Sequence, residues 1–511
     1  MAENCSKIDH SVTENQEHTI VRHRGAITVT VMLASTIYAL DWTIASVALP
    51  HMQGTFSATQ DQISWVITSY IVVSAIVLPT TSWLAARFGR RNLFMFAVCG
   101  FTVFSVLCGA AQSLPAEIFF RIGQGASGAF LIPLSQSIML DSYPQNQHAK
   151  AMALWGVGVM MGPVIGPTVG GYLTDLHNWR WVFYINLPLG ALALLGAVLF
   201  LPKAAADRET PGFDWPGFAY LSLAIGSLQV MLDRGERLDW LESGEILVEA
   251  CLMALGFYLF LVHSAMARNP LVNLRMLGDR NYSLGMGFIF LYGLLTLAPM
   301  VLLPPFLQTL QGYPITQVGL LLSPRGIGMM LAMIFFGRFG DRFDPRLTIS
   351  VGFSLLAVSN FVMAGWTLDV AVADVAWTGF VQGIGAGAIV VPLGAVTFAT
   401  LDVRHRTEAS AIWNLIRSVG SAIGIAAATT VLIRMTGVNR AVLAEHITPF
   451  VANRLQSPVA NGGQNSLALI ENEVTRQAWM IGYIDVFYAA GITSLLVLPL
   501  ILLLRRAETV G

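Results

Sequence analysis

Charged side chains are scarce in this chain of 511 residues, in which Asp, Glu, Lys and Arg together make up only 12%. Soluble globular domains carry about 25%. The formal net charge of -1 gives no basic surplus that would favour nucleic acid as a partner. With 55% hydrophobic residues and a mean hydropathy of +0.64, the composition is that of a chain that lies mostly in lipid.

Motifs for catalysis and for metal or nucleotide binding are missing from the sequence. The cysteines show neither C-x-x-C nor metal-ligand spacing, and we interpret them as small hydrophobic residues. There is no G-x-x-x-x-G-K-[ST] loop for ATP, no H-E-x-x-H and no G-x-S-x-G. We therefore expect no enzymatic activity, no cofactor and no metal, and ATP-driven transport is disfavoured.

Long apolar runs are what the sequence has in abundance. A membrane-spanning helix needs about 20 mostly apolar residues, and lipid leaves an irregular backbone without hydrogen-bond partners. We therefore predict an all-α integral membrane protein with fourteen transmembrane helices, the seventh and eighth being marginal. The predicted spans are 25–50, 62–85, 93–113, 117–140, 150–172, 182–201, 216–232, 245–265, 282–308, 317–337, 348–368, 374–399, 409–433 and 479–503.

The orientation of these spans follows from the basic residues in the loops. With the N-terminus inside, most Lys and Arg residues fall in inside loops, the bias that marks the cytoplasmic side of a membrane. We predict a multi-pass protein of the bacterial inner membrane with both termini cytoplasmic, 1–24 being a cytoplasmic tail. In this orientation the polar segment 434–478 is predicted to be a long periplasmic loop. Loops beyond about 12–15 residues are usually functional or disordered, so this one is a candidate for contact with a partner.

The chain contains an internal repeat. The segment 151–155 (AMALW) matches 409–413 (ASAIW), an offset of 258 residues. At this offset Gln124, Gly125, Gly162 and Gly166 recur as Gln382, Gly383, Gly420 and Gly424. A shared offset across two helices is typical of a parallel repeat of two bundles, with substrate and coupling sites near mid-membrane between them. We predict six-helix bundles at 25–201 and 282–505, joined by 202–281 with the two extra helices.

Short motifs along the chain carry a resemblance to a known family. They are Leu40-Asp41-x-Thr43-Ile44, Arg87-Phe88-Gly89-Arg90-Arg91, Arg121-x-x-Gln124-Gly125-x-x-Gly128, Gly158-x3-Gly162-Pro163-x2-Gly166-Pro167-x2-Gly170-Gly171, Trp179-Arg180-Trp181-x-Phe183-x-Ile185-Asn186-x-Pro188, and Ser227-Leu228-Gln229-x-Met231-Leu232-Asp233-Arg234-Gly235. Over about residues 25–505 the chain resembles the fourteen-span drug/proton antiporter branch of the major facilitator superfamily, and more narrowly its EmrB type. The span-five motif resembles the antiporter motif, which points to export.

The resemblance implies roles in gating and helix packing. These fall on the basic turn, its second copy and the small residues of span five: Arg87, Gly89, Arg90, Gly158, Gly162, Pro163, Gly166, Pro167, Gly170, Gly171, Gly337, Asp341 and Arg342. The usual Gly and Asp of the first basic turn are Ser82 and Ala86 here. The acid of this gate is therefore present in the second half only.

Three charged residues within spans are predicted to couple transport to protons. Asp41 lies deep in the first span, where a charge costs ~2.5–3.5 kcal/mol, so it can hold and release a proton as its surroundings change. Arg121 and Arg417 stay charged and need an anion or carbonyl groups nearby. A structural acid, and arginines that only brace neighbouring helices, are the alternatives.

The predicted substrate pathway comprises Gln124, Trp155, Trp413, Asn414 and Gln382, with the two tryptophans at matched places in the repeat. Interfacial anchoring is the alternative role for these tryptophans. The predicted function is proton-coupled export of hydrophobic or amphipathic drugs. A dedicated exporter of one metabolite or lipid and a non-transporting receptor or scaffold are the alternatives. The resemblance further implies a periplasmic adaptor and an outer-membrane channel as partners, besides membrane lipid.

Overall fold

The computed structural model describes residues 23–144, 147–202, 212–401, 406–446 and 463–503, and throughout these ranges the regular secondary structure is helical. Almost all of the predicted tail 1–24 lies outside the described residues. The α-helices are α1 (Arg24–Phe56), α2 (Gln60–Val77), α3 (Thr81–Phe88), α4 (Arg90–Ala110), α5 (Leu114–Gly128), α6 (Leu131–Ser142), α7 (His148–Leu176), α8 (Trp181–Tyr184), α9 (Asn186–Phe200), α10 (Trp215–Arg234), α11 (Gly244–Met266), α12 (Arg280–Pro305), α13 (Ile315–Phe339), α14 (Pro345–Ala364), α15 (Val372–Ala399), α16 (Arg406–Glu445) and α17 (Gly463–Val497).

Polar residues define where several helices begin. Thr59 and Gln62 form a capping box at the start of α2, with the Thr59 amide donating to Gln62 Oε1 at 3.0 Å. Asp279 Oδ1 accepts from the Tyr282 amide at 2.8 Å and caps α12. Asp344 does the same for α14. These caps satisfy amides that an α-helix leaves without partners.

The described ranges contain 13 helical segments long and apolar enough to cross a membrane. The all-α membrane fold predicted from the sequence is thereby confirmed. The predicted fourth span differs because it is built from two shorter helices, α5 and α6. Pro133 supplies no amide hydrogen and disfavours a helical carbonyl at Ala129, and α5 ends at Gly128.

Two groups of helices, α1–α9 and α12–α17, pack against each other. The broadest contact between them joins α7 to α13, and α6 also meets α16. Ser410 Oγ donates to Gln136 Oε1 at 2.5 Å, and Asn414 Nδ2 donates to the same oxygen at 2.9 Å. This is the packing expected of two bundles with an interface between them, although the predicted domain boundaries themselves stay predictions.

The extra helices α10 and α11 pack on each other at the side of this interface. Thr68 of α2 donates to Asp233 Oδ2 at 2.7 Å, which joins α10 to the first half. The indole of Trp240 donates to Thr430 Oγ1 at 3.0 Å, which joins the turn after α10 to α16. The extra pair therefore contacts both halves.

Within the predicted periplasmic loop 434–478, residues 434–445 and 463–478 are helical rather than irregular, and the periplasmic location of the segment stays a prediction. Helix α16 continues to Glu445 and α17 begins at Gly463, while 447–462 lie outside the described residues. The polar composition of this segment shows that the chain leaves the lipid near residue 434, but a helix can continue beyond the membrane. The two helices contact each other in this region, where Arg440 Nη2 lies 2.7 Å from Glu471 Oε1.

Candidate functional site

Asp41 and Arg121 form a buried ion pair in the first half. Arg121 Nη1 lies 2.7 Å from Asp41 Oδ2, and the side chains are 0% and 1% exposed, respectively. Gln124 bridges the two, because it accepts from Arg121 Nη1 and donates to Asp41 Oδ1, both at 2.7 Å. The sequence-predicted residues Asp41, Arg121 and Gln124 therefore belong to one site.

The surrounding helices fix this pair in place. Arg121 Nε donates to the Val66 carbonyl of α2 at 3.0 Å, and its guanidinium carbon lies 4.3 Å from the ring centroid of Tyr70. Asn186 Nδ2 donates to Asp41 Oδ1 at 3.0 Å. A buried ion pair is stable only when its remaining donors and acceptors also have hydrogen-bond partners. The contacts with Val66, Gln124 and Asn186 supply most of those partners.

Sequence reasoning missed Glu117, which lies one helical turn before Arg121. Its side chain is 0% exposed, and neither carboxyl oxygen accepts a hydrogen bond from the described residues. The Cys108 thiol faces it, and it lies within electrostatic reach of Asp41 and Arg121. The i, i+4 spacing to Arg121 was the available signal. A second buried carboxyl group thus adjoins the ion pair.

The glycines of α7 pack against the stretch of α1 that carries Asp41. A Cβ on Gly158 would lie 3.0 Å from Met32 Cα, and one on Gly162 would lie 2.6 Å from the Ala39 carbonyl carbon. Gly166 faces Thr43 and Gly170 faces Ile44. Pro163 and Pro167 lie inside the same helix, and Gly171 is buried. Small residues let two helices approach closely, and here they set the position of the acid.

Asn414 and Arg417 lie on α16 at the interface between the halves. Arg417 Nη2 donates to Asn414 Oδ1 at 3.2 Å, and Asn414 bonds to Gln136 of the first half. Neither residue is hydrogen-bonded to Asp41 or Arg121 in the described structure. The structure therefore separates Arg417 from the predicted proton-coupling pair.

The other predicted pathway residues are packed inside the protein. Trp155 is 4% exposed and Trp413 is 1% exposed. Trp413 packs on Phe398, with ring centroids 5.4 Å apart. Gln382 Nε2 donates to Asn360 Oδ1 at 3.4 Å within the second half. Their matched places in the repeat correspond to core packing, and a role in the pathway stays a prediction.

The first basic turn joins the two halves at the end predicted to be cytoplasmic. Arg90 pairs with Asp141, and Arg406 Nη1 of α16 lies 3.4 Å from the other oxygen of Asp141. Burial raises the pKa of Asp141, although both arginines lower it. Gly89 has a φ of 82°, a conformation that favours glycine in this tight turn. Arg87 is exposed.

The second copy of the turn packs differently. A Cβ on Gly337 of α13 would lie 3.3 Å from the Ala149 carbonyl oxygen of α7, so this glycine lets the two halves approach closely. The guanidinium of Arg342 lies 5.5 Å from the Phe339 ring centroid. The side chain of Asp341 is outside the description.

Comparisons with known proteins agree with this architecture. The chain matches the family model described as Major Facilitator Superfamily at residues 31–298 and 285–444. It is 34% identical to the fatty acid resistance protein FarB of Neisseria gonorrhoeae, over 94% of this chain and 96% of that one. It is also 34% identical to the multidrug export protein EmrB of Escherichia coli (strain K12), over 93% and 94% respectively.

Solved structures of transporters share the fold. A double-tryptophan mutant of XylE aligns with a TM-score of 0.61 at 14% identity, over 95% of this chain and 97% of that one. The human organic anion transporter MFSD10 aligns with a TM-score of 0.58 at 15% identity, over 92% and 99%.

Proposed function

The chain belongs to the major facilitator superfamily, and from that membership we propose that it exports hydrophobic or amphipathic compounds across the bacterial inner membrane in exchange for protons. Relatives named for multidrug export and fatty acid resistance, each at 34% identity, support export. The buried ion pair of Asp41 and Arg121 supports coupling to protons. We further propose that both termini are cytoplasmic, as the basic loops favour.

The ion pair can couple proton binding to a conformational change. While Asp41 is ionised, it compensates the buried charge of Arg121. A proton on Asp41 removes that compensation, and an uncompensated buried charge costs about 3–5 kcal/mol. The protonated protein therefore favours an arrangement in which Arg121 reaches water or another anion. Because a ligand shifts an equilibrium by its differential affinity for the two states, the proton drives alternating access.

Replacing Asp41 tests this proposal. In reconstituted vesicles, substrate should dissipate a proton gradient with the wild type and with Asp41→Glu, and not with Asp41→Asn. Thermal unfolding checks that each variant is folded. Asp374→Asn is the matched control, because Asp374 is an exposed acid at the start of α15. Gradient-driven export by a folded Asp41→Asn protein would refute the proposal.

We also propose that the protein works with a periplasmic adaptor and an outer-membrane channel. Helix α16 has 40 residues, which corresponds to about 60 Å, while the hydrocarbon core is about 30 Å thick. The paired ends of α16 and α17 therefore extend beyond the membrane. Val438 and Val442, one turn apart, are 54% and 48% exposed there, which supports an apolar docking face.

Co-purification with a candidate adaptor in mild detergent tests this partnership. Val442→Asp should weaken adaptor capture, whereas Ala444→Asp adds the same charge on the opposite exposed face of the helix and should leave it unchanged. Equal capture by the wild type and Val442→Asp would exclude this face. Export at the full rate in cells that lack every adaptor would count against the partnership itself.

A further inference from the structure

Two arginines of the second half converge on one stretch of α12. Arg325 of α13 donates through Nη2 to the Thr296 carbonyl, and its Nη1 is buried without a hydrogen-bond partner. The backbone of Arg417 on α16 packs against Gly293. Tyr292 lies within electrostatic reach of both guanidinium groups. Arg325 and the backbone of Arg417 thus both contact the stretch of α12 from Gly293 to Thr296.

Neither arginine has an acidic partner in the described part of the chain. The ion pairs found there leave out both Arg325 and Arg417. The titratable groups that act on them are Tyr292 and, for Arg417, also Tyr38. Both arginines are half-buried. A charge that is partly removed from water needs a partner or good hydrogen bonds, and no acid in the described residues pairs with either one.

The internal repeat makes this asymmetry plain. At the offset of 258 residues, Asp41 corresponds to Pro299 and Arg121 to Gly379. Arg325 fills the space beside Gly379, where an added Cβ would lie 3.6 Å from Arg325 Cβ. The first half therefore holds a complete ion pair, while the second half has a cation beside the corresponding position and a proline where the acid would be.

The cations also lie at mid-depth, next to the first half. Arg325 is the eleventh residue of α13 and Arg417 the twelfth of α16, about 15–17 Å from the helix starts at a rise of 1.5 Å per residue. Half the hydrocarbon core is about 15 Å. Tyr38 of α1, which faces Arg417, lies 6.0 Å from the Tyr70 ring. Tyr70 in turn covers Arg121.

We propose that Arg325 and Arg417 bind the carboxylate head group of an amphipathic substrate between the two halves. Guanidinium groups bind carboxylates through paired, charge-assisted hydrogen bonds. Partly buried apolar side chains on the same helices, among them Leu294, Met330 and Ile416, lie nearby along the chain and suit the tail. This assignment rests on the proposed export function, whose substrate class it narrows to anionic amphiphiles.

Equilibrium binding to purified protein in phosphatidylcholine nanodiscs tests the assignment without any proton gradient. The probes are radiolabelled dodecanoate, its methyl ester and dodecyltrimethylammonium. The wild type should bind dodecanoate about tenfold or more tighter than the ester. Arg325→Gln and Arg417→Gln should each remove most of that preference, and Arg417→Lys should restore part of it. Arg440→Gln, at an exposed arginine far from the interface, is the control and should keep the full preference.

Three outcomes would overturn the assignment. The first is equal binding of acid and ester by the wild type, and the second is an undiminished preference in folded Arg325→Gln and Arg417→Gln proteins. The third is displacement of dodecanoate when the nanodiscs contain phosphatidylglycerol, which would show that a lipid head group fills the site. Selective binding without export would sustain this inference and refute the proposed function. Proton-driven export of neutral and cationic compounds without a preference for carboxylates would support the proposed export function and refute the assignment of the two arginines.

Discussion

A single methyl group added at Gly162 should slow export. The Cβ of alanine would lie 2.6 Å from the carbonyl carbon of Ala39 and 2.8 Å from its Cβ, whereas carbon atoms pack at about 3.5–4.0 Å. The atoms in the way include backbone of α1, so no side chain can rotate aside. Helices α1 and α7 must therefore separate locally by roughly 1 Å.

The energetic cost and its consequence follow from that displacement. Overpacking costs about 1–3 kcal/mol, which changes a conformational equilibrium by about 5–150-fold. The displaced segment leads directly into Asp41, so the 2.7 Å contact with Arg121 should also lengthen. We expect Gly162→Ala to export about fivefold or more slowly with a lowered melting temperature, and leucine to abolish export.

Gly170→Ala is the matched control for this prediction. Its Cβ would meet only Ile44 atoms at 3.4–3.5 Å, which is ordinary contact, so export and melting temperature should stay at wild-type values. Export of a fluorescent substrate from cells, together with thermal unfolding in detergent, measures both quantities. Wild-type behaviour of Gly162→Ala, or equal damage from Gly170→Ala, would refute the packing argument.

Other perturbations test separate parts of the structure. Glu117→Gln should slow proton-driven export severalfold without lowering the melting temperature, because the amide keeps an oxygen toward the Cys108 thiol and the carboxyl oxygens have no other partner among the described residues; unchanged export would exclude a proton-carrying role. Since burial raises the pKa of Asp141 where the halves meet, that arrangement binds the proton more tightly than one open to water, and falling pH should favour it. Spin-label distances between the halves should accordingly shorten on acidification, and lengthening would contradict the sign. Asp214→Ala should lower the free energy of unfolding by about 1–3 kcal/mol, because Asp214 accepts from the Gly217 and Leu271 amides, while exposed Asp369→Ala should change little in the same melting assay.

The fold could be predicted from the sequence because the length of each apolar run shows whether it can cross the membrane. Lipid allows little besides helices, so counting runs of about 20 residues recovers the spans. Helix interruptions and extensions were less accessible. The break before Pro133 needed attention to one proline inside an apolar run. The extension of α16 to Glu445 was hidden because polar helices outside the membrane resemble loops in hydropathy.

The residues of the site could be predicted from the sequence, but the contacts between them could not. Asp41 and Arg121 stand out because charges within spans are rare, but their pairing joins positions 80 residues apart and depends on how α1 and α5 are rotated. Glu117 was overlooked because an acid at the start of a span looks like an ordinary flanking charge. Arg325 also lies within a predicted span, but the sequence alone assigned it no role, because only the structure shows that no acid of the described residues pairs with it.

The paired ends of α16 and α17 extend the second half beyond the membrane, and a rotation of that half displaces these ends further than its membrane-embedded part. Helix α16 is continuous from the interface, where Asn414 bonds to Gln136, to Glu445, so its outer end must move with the half that carries it. At about 30 Å from a pivot, a rotation of about 10° displaces that end by about 5 Å. A displacement of this size exceeds the breaking distance of any hydrogen bond. A partner bound to the outer ends of α16 and α17 would therefore be displaced each time the transporter changes between its inward-facing and outward-facing conformations.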